Sequence, residues 1–152
     1  RPRSADSSSR SELAGSLPLM SDFNQQIIDE FRANGGKVAM FGDAPLVILH
    51  TVGAKSGQVR EIPLVELVQG DARYVFASKG GAPTQPAWYH NLCAEPRVEL
   101  QVATDIFAAT ARTATGAERA QLWQHMVALY PPFADYQAKT TREIPVVVLS
   151  RT

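Results

Sequence analysis

One cysteine in 152 residues, Cys93, leaves no partner for an internal disulfide, which suits a reducing compartment. The three histidines, His50, His90 and His125, are too scattered to form a zinc-type ligand set, so no metal is expected. Net charge is lacking as well, because 15 basic and 15 acidic residues cancel. No overall field then draws the chain to nucleic acid, and any anion site must be local. No apolar run approaches the ~18 to 20 residues of a membrane span, and no G-x-S-x-G elbow supports a serine triad. Cys93, near a predicted helix end, reads as a small buried hydrophobe rather than a nucleophile.

What is present is the composition of a soluble globular protein, 45% hydrophobic and 20% charged, in a length suited to one core. Residues 20–152 read as a single domain. Residues 1–19 are rich in Ser, Arg and Pro with no apolar period. They resemble vector-derived sequence ahead of Met20, or, if native, a disordered arm.

A first helix is predicted from a cap at Ser21 or Asp22, with Phe23, Ile27 and Phe31 on one face and Asn34-Gly35-Gly36 as its stop. Its polar face, Asp29, Glu30 and Arg32, is too weakly basic to favour anionic lipid. The expected location is therefore cytoplasmic, with peripheral contact at the inner face of the plasma membrane as the alternative. Strands are predicted over Leu46–Val52, Val59–Val68 and Arg73–Lys79. Pro63 interrupts the second, and lacking an N–H it belongs at an edge or a bulge.

Pro86 is placed at the first position of a short helix carrying Trp88, Tyr89, Asn91 and Leu92. Strands at Val98–Val102 and Ile106–Arg112 precede a helix from a Thr115-x-x-Glu118 capping box to Tyr130. Pro131 to Tyr136 reads as an aromatic loop. The near-continuous apolar run Ile144–Leu149 predicts a strand buried on both faces. About six antiparallel strands with about three helices argue an α+β domain on a small β-barrel.

The stretch from His50 to Lys79 concentrates the chemistry. Thr51, Gly53, Lys55, Ser56, Gly57, Arg60, Ser78 and Lys79 gather cations and hydroxyls at turns and strand ends, a cradle for a phosphorylated cofactor. Each also has a plain structural reading: solvated surface cations, glycines that a tight hairpin needs anyway, a strand-end hydroxyl bonded to backbone. Trp88 and Asn91, three apart on a helix, share a face, an aromatic wall beside an amide.

Four ordered blocks carry a resemblance. Thr51-Val-Gly-Ala-Lys-Ser-Gly-Gln-Val-Arg60, then Pro63-Leu64, then Ala77-Ser-Lys-Gly-Gly-Ala82, then Pro86-Ala-Trp-Tyr-His-Asn-Leu92 resemble the actinobacterial deazaflavin-dependent nitroreductase family. The resemblance implies a split β-barrel of the flavin-binding, pyridoxamine-phosphate-oxidase-like kind. It also implies coenzyme F-420, an 8-hydroxy-5-deazaflavin whose reduced form donates a hydride to quinones, nitroaromatics or enones.

It assigns cofactor contacts to Gly53, Lys55, Ser56, Gly57, Arg60, Pro63, Leu64, Val65, Ala77, Ser78, Lys79, Ala87, Trp88 and Asn91. Lys55, Arg60 and Lys79 would face the cofactor's phosphate and polyglutamate carboxylates, and Pro63 to Val65 would run along the ring at a bulge. Trp88, Tyr130, Phe133 and Tyr136 are the implied acceptor side, with Phe133 where family members often carry tyrosine. Ser78, Tyr130 and Tyr136 are the implied catalytic set. The expected partner is a small acceptor, and the expected state is monomer or homodimer. An FMN or haem-degrading enzyme on the same barrel and a non-catalytic deazaflavin or lipid carrier remain as alternatives.

Overall fold

The computed structural model describes residues 16–152, with side chains from residue 22 onward. The tail expectation for residues 1–15 lies outside the described residues. Helix α1 (Ser16–Ala33) begins before the predicted cap, so residues 16–19 belong to it rather than to a tail. In chain order follow β1 (Leu46–Val52), β2 (Val59–Val65), β3 (Leu67–Gln69), β4 (Ala72–Phe76), α2 (Ala87–Ala94), β5 (Arg97–Val102), β6 (Asp105–Thr113), α3 (Gly116–Leu129), α4 (Pro132–Ala138) and β7 (Val146–Arg151). The strands pair antiparallel in one sheet, in the order β2-β1-β5-β6-β7-β4-β3. None of the described helices is long and apolar enough to cross a membrane.

The seventh strand comes from splitting the predicted Val59–Val68 segment. β2 pairs with β1 at one end of the strand order, and β3 pairs with β4 at the other. Only Glu66 separates β2 from β3. The two edges of the sheet are therefore one stretch of chain, and the sheet must curl to bring them together. Pro63 does not make the break: it stands opposite Ile48 in an unbroken register, with no bulge. It is tolerated because, among the described residues, β1 is the sole strand partner of β2, so a missing donor faces no second ladder.

Alternation along the strands sorts the side chains into layers. Val47 and Leu49 of β1, Val75 of β4, Leu100 of β5 and Val147 and Leu149 of β7 fill the interior, which α2 plugs with Trp88 and Leu92. Outside, Ile27, Ile28 and Phe31 of α1 cover Leu46 and Ile48. Leu122 and Met126 of α3 cover Phe76, Val146 and Val148 on another outer face. β7 is thus buried on both sides from Val146 to Leu149, as its unbroken apolar run predicted.

The second departure is α4. Pro132 sits in its first turn, where a missing N–H costs nothing, and the predicted aromatic loop becomes helical. Thr115 is the N-cap of α3 but makes no side-chain cap bond. Glu118, expected to complete a capping box, instead binds Arg112 through both oxygens at 2.8 and 2.9 Å.

The bend places Glu66 inside the fold at 1% exposure. Its Oε2 accepts from Arg73 Nη1 at 2.7 Å, while buried Oε1 has no partner. Burial raises the Glu66 pKa above its ordinary 4.5, and the Arg73 guanidinium pulls in the opposite direction. An acid with a raised folded pKa holds its proton more tightly in the folded chain. Its contribution to stability is complete below the ordinary 4.5 and is lost as pH climbs through the raised value. Glu66→Gln is expected to flatten the fall in denaturation midpoint with rising pH above that point. A slope unchanged from wild type would assign the proton to another group.

Candidate functional site

The β1–β2 hairpin turn is tied by three bonds. Gly53 N–H donates to Gln58 O at 2.7 Å, Gly57 N–H to Gly53 O at 2.9 Å, and Gln58 N–H to Ser56 Oγ at 3.1 Å. Both glycines have reasons internal to the turn. A Cβ on Gly53 would lie 2.5 Å from Ser56 Oγ, and Gly57 adopts φ +72°.

Across from this turn stands α2. Pro86 is its N-cap residue rather than its first helical position, and Trp88 and Asn91 do share a buried face. Asn91 is a clasp: its Nδ2 donates to Thr51 Oγ1 at 3.1 Å, and its Oδ1 accepts from Ala54 N at 3.0 Å. The amide expected to bond a cofactor is already committed at both ends to the hairpin.

Between hairpin and helix lies a cleft of about 490 Å³. Of the residues proposed for a cofactor, Gly53, Lys55, Ser56, Arg60, Ala87, Trp88 and Asn91 line it. The sequence reading did not assign Ala54, Glu61, Ile62 or His90, which line it too, nor Thr51 as a clasp partner. Glu61 is the one acid on the wall, and Arg32 answers its charge: Arg32 Nη2 donates to Oε2 at 2.5 Å, while the buried His50 Nε2, 3.4 Å from the same oxygen, makes no hydrogen bond. Lys55 and Arg60 are exposed and have no carboxylate partner among the described residues. Two uncommitted cations thus stand in one cleft with a Trp88 side chain only 6% exposed. That arrangement fits a ligand with an anionic portion and a flat apolar portion.

The remaining candidates lie elsewhere. Gly57 is at the exposed tip of the turn. Leu64 packs on the interior cluster, while Val65 packs on the two outer ones. Ala77 is fully buried in the interior. β4 stops at Phe76, short of the predicted end at Lys79, and Ser78 opens a turn that includes Lys79–Gly81. Lys79 adopts φ +47° and gives its ammonium to Thr84 Oγ1 at 3.1 Å.

The aromatic candidates form a separate corner. Tyr130 and Phe133 pack on the α3-side cluster, and the Phe133 ring lies 5.8 Å from Phe76 and 5.2 Å from Tyr136. None of the three lines the cleft. The corner touches the turn at Lys79–Gly81, where a Cβ on Gly81 would come within 2.6 Å of Tyr136 O. Cys93, expected to be buried, is exposed. Among the described residues no three His, Cys, Asp or Glu side chains are grouped as for a metal.

Arg142 is the functional-region residue that sequence reasoning missed. Its guanidinium donates to Ala77 O, Ser78 O, Ala82 O and Gln85 Oε1, at 3.2, 2.8, 2.8 and 2.7 Å. Burial lowers its pKa from the ordinary guanidinium value. No local pattern around Thr141-Arg-Glu143 signals contacts to residues some 60 positions away.

Comparison with known proteins settles descent. The family model described as F420H(2)-dependent quinone reductase matches residues 24–151. The chain belongs to that family. The F420H(2)-dependent quinone reductase Rv1261c of Mycobacterium tuberculosis is 40% identical over 126 residues, 80% of this chain and 85% of that protein. A solved F420-H2 dependent reductase, FDR-A, is 42% identical with a TM-score of 0.65, covering 70% of this chain and 94% of that one. A second solved chain, described as a domain-swapped dimer, is 36% identical with a TM-score of 0.67, covering 90% and 100%. HutZ, a haem storage protein of Vibrio cholerae, shares the fold alone, at 14% identity and a TM-score of 0.56 over 85% and 90% of the two chains. The curled sheet is the α+β split barrel that the motif blocks implied.

The double bond of Asn91 gives a test of its structural role. Asn91→Ala leaves Thr51 Oγ1 and the Ala54 amide without their partner and is expected to cost about 1 to 3 kcal/mol. Denaturation of the ligand-free chain measures this. Unchanged stability would return the side chain to the role of a ligand contact.

Proposed function

We propose that the chain binds reduced coenzyme F-420 along the hairpin–α2 cleft and passes its hydride to a small apolar acceptor of the quinone, nitroaromatic or enone class. Membership of the family supports an F420-dependent oxidoreductase. The observation that carries the cleft assignment is the joint presence of Lys55 and Arg60, without carboxylate partners among the described residues, and the buried Trp88 wall.

When bound, the deazaflavin supplies a hydride donor that lacks the nitrogen through which flavins react readily with oxygen. The chain's own part is grip and exclusion of water. Arg60 offers a bidentate fork and Lys55 a mobile point charge to phosphate or carboxylate oxygens. Ser56 keeps its O–H free to donate, since its oxygen is the acceptor for Gln58 N–H. Trp88 gives a flat wall fixed at 6.4 Å from Tyr89 in an edge-on pair.

Ser78, on the turn beside the aromatic corner, is assigned to the ring, Lys79 with Lys55 and Arg60 to the cofactor's anionic groups, and Tyr130, Phe133 and Tyr136 to the acceptor. Proximity and orientation supply most of the rate under this reading, with a tyrosine hydroxyl or water as proton source. For assembly, the solved domain-swapped relative supports a homodimer over a monomer.

Titrating F-420 and FMN separately while following tryptophan emission tests the cofactor choice. Saturable binding of F-420 with weaker binding of FMN is expected. Preference for FMN would transfer the chain to flavin chemistry, and F-420 binding without turnover of any quinone would make it a carrier. Lys55→Glu and Arg60→Glu are each expected to weaken F-420 binding by about tenfold, or ~1.4 kcal/mol, with the melting temperature unchanged. Normal affinity in both variants would remove the cations from the site.

A further inference from the structure

We propose that Arg142 is a positioning residue for cofactor binding, acting through the 77–86 loop whose oxygens it gathers onto one guanidinium. The inference rests on the cofactor reading of the hairpin–α2 cleft and adds a residue that touches neither the cleft nor its ligand.

The loop joins β4 to α2 and has two duties under that reading. At its start it carries Ser78 and Lys79, and at its end it sets where Ala87 and Trp88 enter the cleft wall. The loop's own bonds, Gly81 N–H to Ser78 O at 2.9 Å, Ala82 N–H to Lys79 O at 3.1 Å and Lys79 Nζ to Thr84 Oγ1 at 3.1 Å, shape the turn at 78–84 but do not tie it to Gln85 at the base of α2. Gly80 and Gly81 adopt φ +63° and +84°, and Lys79 is left-handed as well, a conformation that costs a non-glycine residue on the order of 1 kcal/mol or more.

Arg142 adds a constraint from outside that spans the loop from Ala77 to Gln85. Nη2 takes Ser78 O, Nη1 takes Ala77 O and Gln85 Oε1, and Nε takes Ala82 O. Gln85 is next to Pro86, the N-cap of α2, so this last bond reaches the base of the helix that bears Trp88.

The anchor is itself anchored. Gln137 of α4 donates from Nε2 to Arg142 O at 2.7 Å and accepts from Ile144 N at 3.0 Å. Arg119 of α3 donates to Ile144 O at 2.7 Å. Both helices of the aromatic corner therefore hold the segment that holds the loop.

All four acceptors of Arg142 are neutral, and it has no carboxylate partner among the described residues. Charge alone does not explain the arrangement. A planar fork satisfying four oxygens in fixed directions does, and lysine cannot reproduce it.

The full chain is titrated with F-420 by tryptophan emission, where the Kd of each variant is expected to rise in step with its KM, and is assayed with reduced F-420 and menadione as the quinone probe. Arg142→Lys and Arg142→Gln are both expected to raise KM for F-420 tenfold or more, with kcat within threefold and KM for menadione within twofold. Gln85→Leu, which removes one of the four acceptors from a half-buried loop position, is expected to raise KM for F-420 by three- to fivefold. In the Arg142→Lys background it is expected to add nothing.

Wild-type KM in Arg142→Lys would show that charge suffices and overturn the positioning role. A fall in kcat at unchanged KM would show only fewer folded molecules and overturn it too. If the Arg142 variants fail to fold, Gln85→Leu decides, and a wild-type KM there rejects the inference. Wild-type protein that binds no F-420 would defeat the cofactor reading first and this inference with it, a result separable from all the others.

Discussion

The constraint on which the structure turns is that one stretch of chain supplies both ends of the sheet. β2 and β3 occupy opposite edges yet are separated by a single residue, so the sheet has no freedom to lie open. Curling creates an interior, and an interior needs filling. The strands supply small and branched side chains on that face, and α2 brings Trp88 and Leu92 as the plug. The cleft is a by-product of the same closure. It forms where the plug meets the β1–β2 hairpin, and the Asn91 clasp to Thr51 and Ala54 holds the two walls together. The cost falls at Glu66, left buried at the bend with one oxygen unpaired.

Electrostatics at the site follow from which cations are already committed. Arg73 pairs with Glu66, Arg97 with Glu95, Arg112 with Glu118 and Arg32 with Glu61. Such pairs at exposed positions add little to stability, but they cancel field. A chain of zero formal charge can still present an anion site if its cations are unevenly spent. Lys55 and Arg60, which line the cleft, have no carboxylate partner among the described residues, and Arg32 answers the one acid on its wall.

Features set by neighbours in sequence were legible, and features set by distant partners were not. The β1 boundaries, the two-sided burial of β7 and the shared face of Trp88 and Asn91 all follow from period and local stops. The bend at Glu66 does not, because Pro63 is the louder local signal and Glu66 differs only in having Arg73 across the next hairpin. Glu118 fits a capping box by spacing, but Arg112 at the end of β6 offers a bidentate partner that a lone amide cannot match. Asn91 looked like a ligand group for the same reason: an amide beside a tryptophan has no visible partner until the hairpin folds back over it. Arg142 is the extreme case, a cation whose acceptors are mostly backbone oxygens and so leave no mark in side-chain identity.

The aromatic corner and the cleft belong to different layers of the fold, which bears on how the proposed chemistry divides. Trp88 is part of the interior cluster, so altering it disturbs the barrel plug. Phe133, Tyr130 and Trp123 pack on the outer cluster under α3 and α4. A change at that corner, such as phenylalanine in place of tyrosine at 133, leaves the hairpin, its cations and the Asn91 clasp untouched. On the proposed reading, acceptor preference can therefore shift through corner residues while the grip on the cofactor stays constant. The 77–86 loop connects the two regions, meeting Tyr136 at Gly81 and leading into Ala87 on the cleft wall, and β7 joins the layers as well, with Val147 and Leu149 in the interior and Val146 and Val148 outside. On the proposed reading, the segment that Arg142 holds in shape is the chain's direct link between acceptor corner and cofactor cleft.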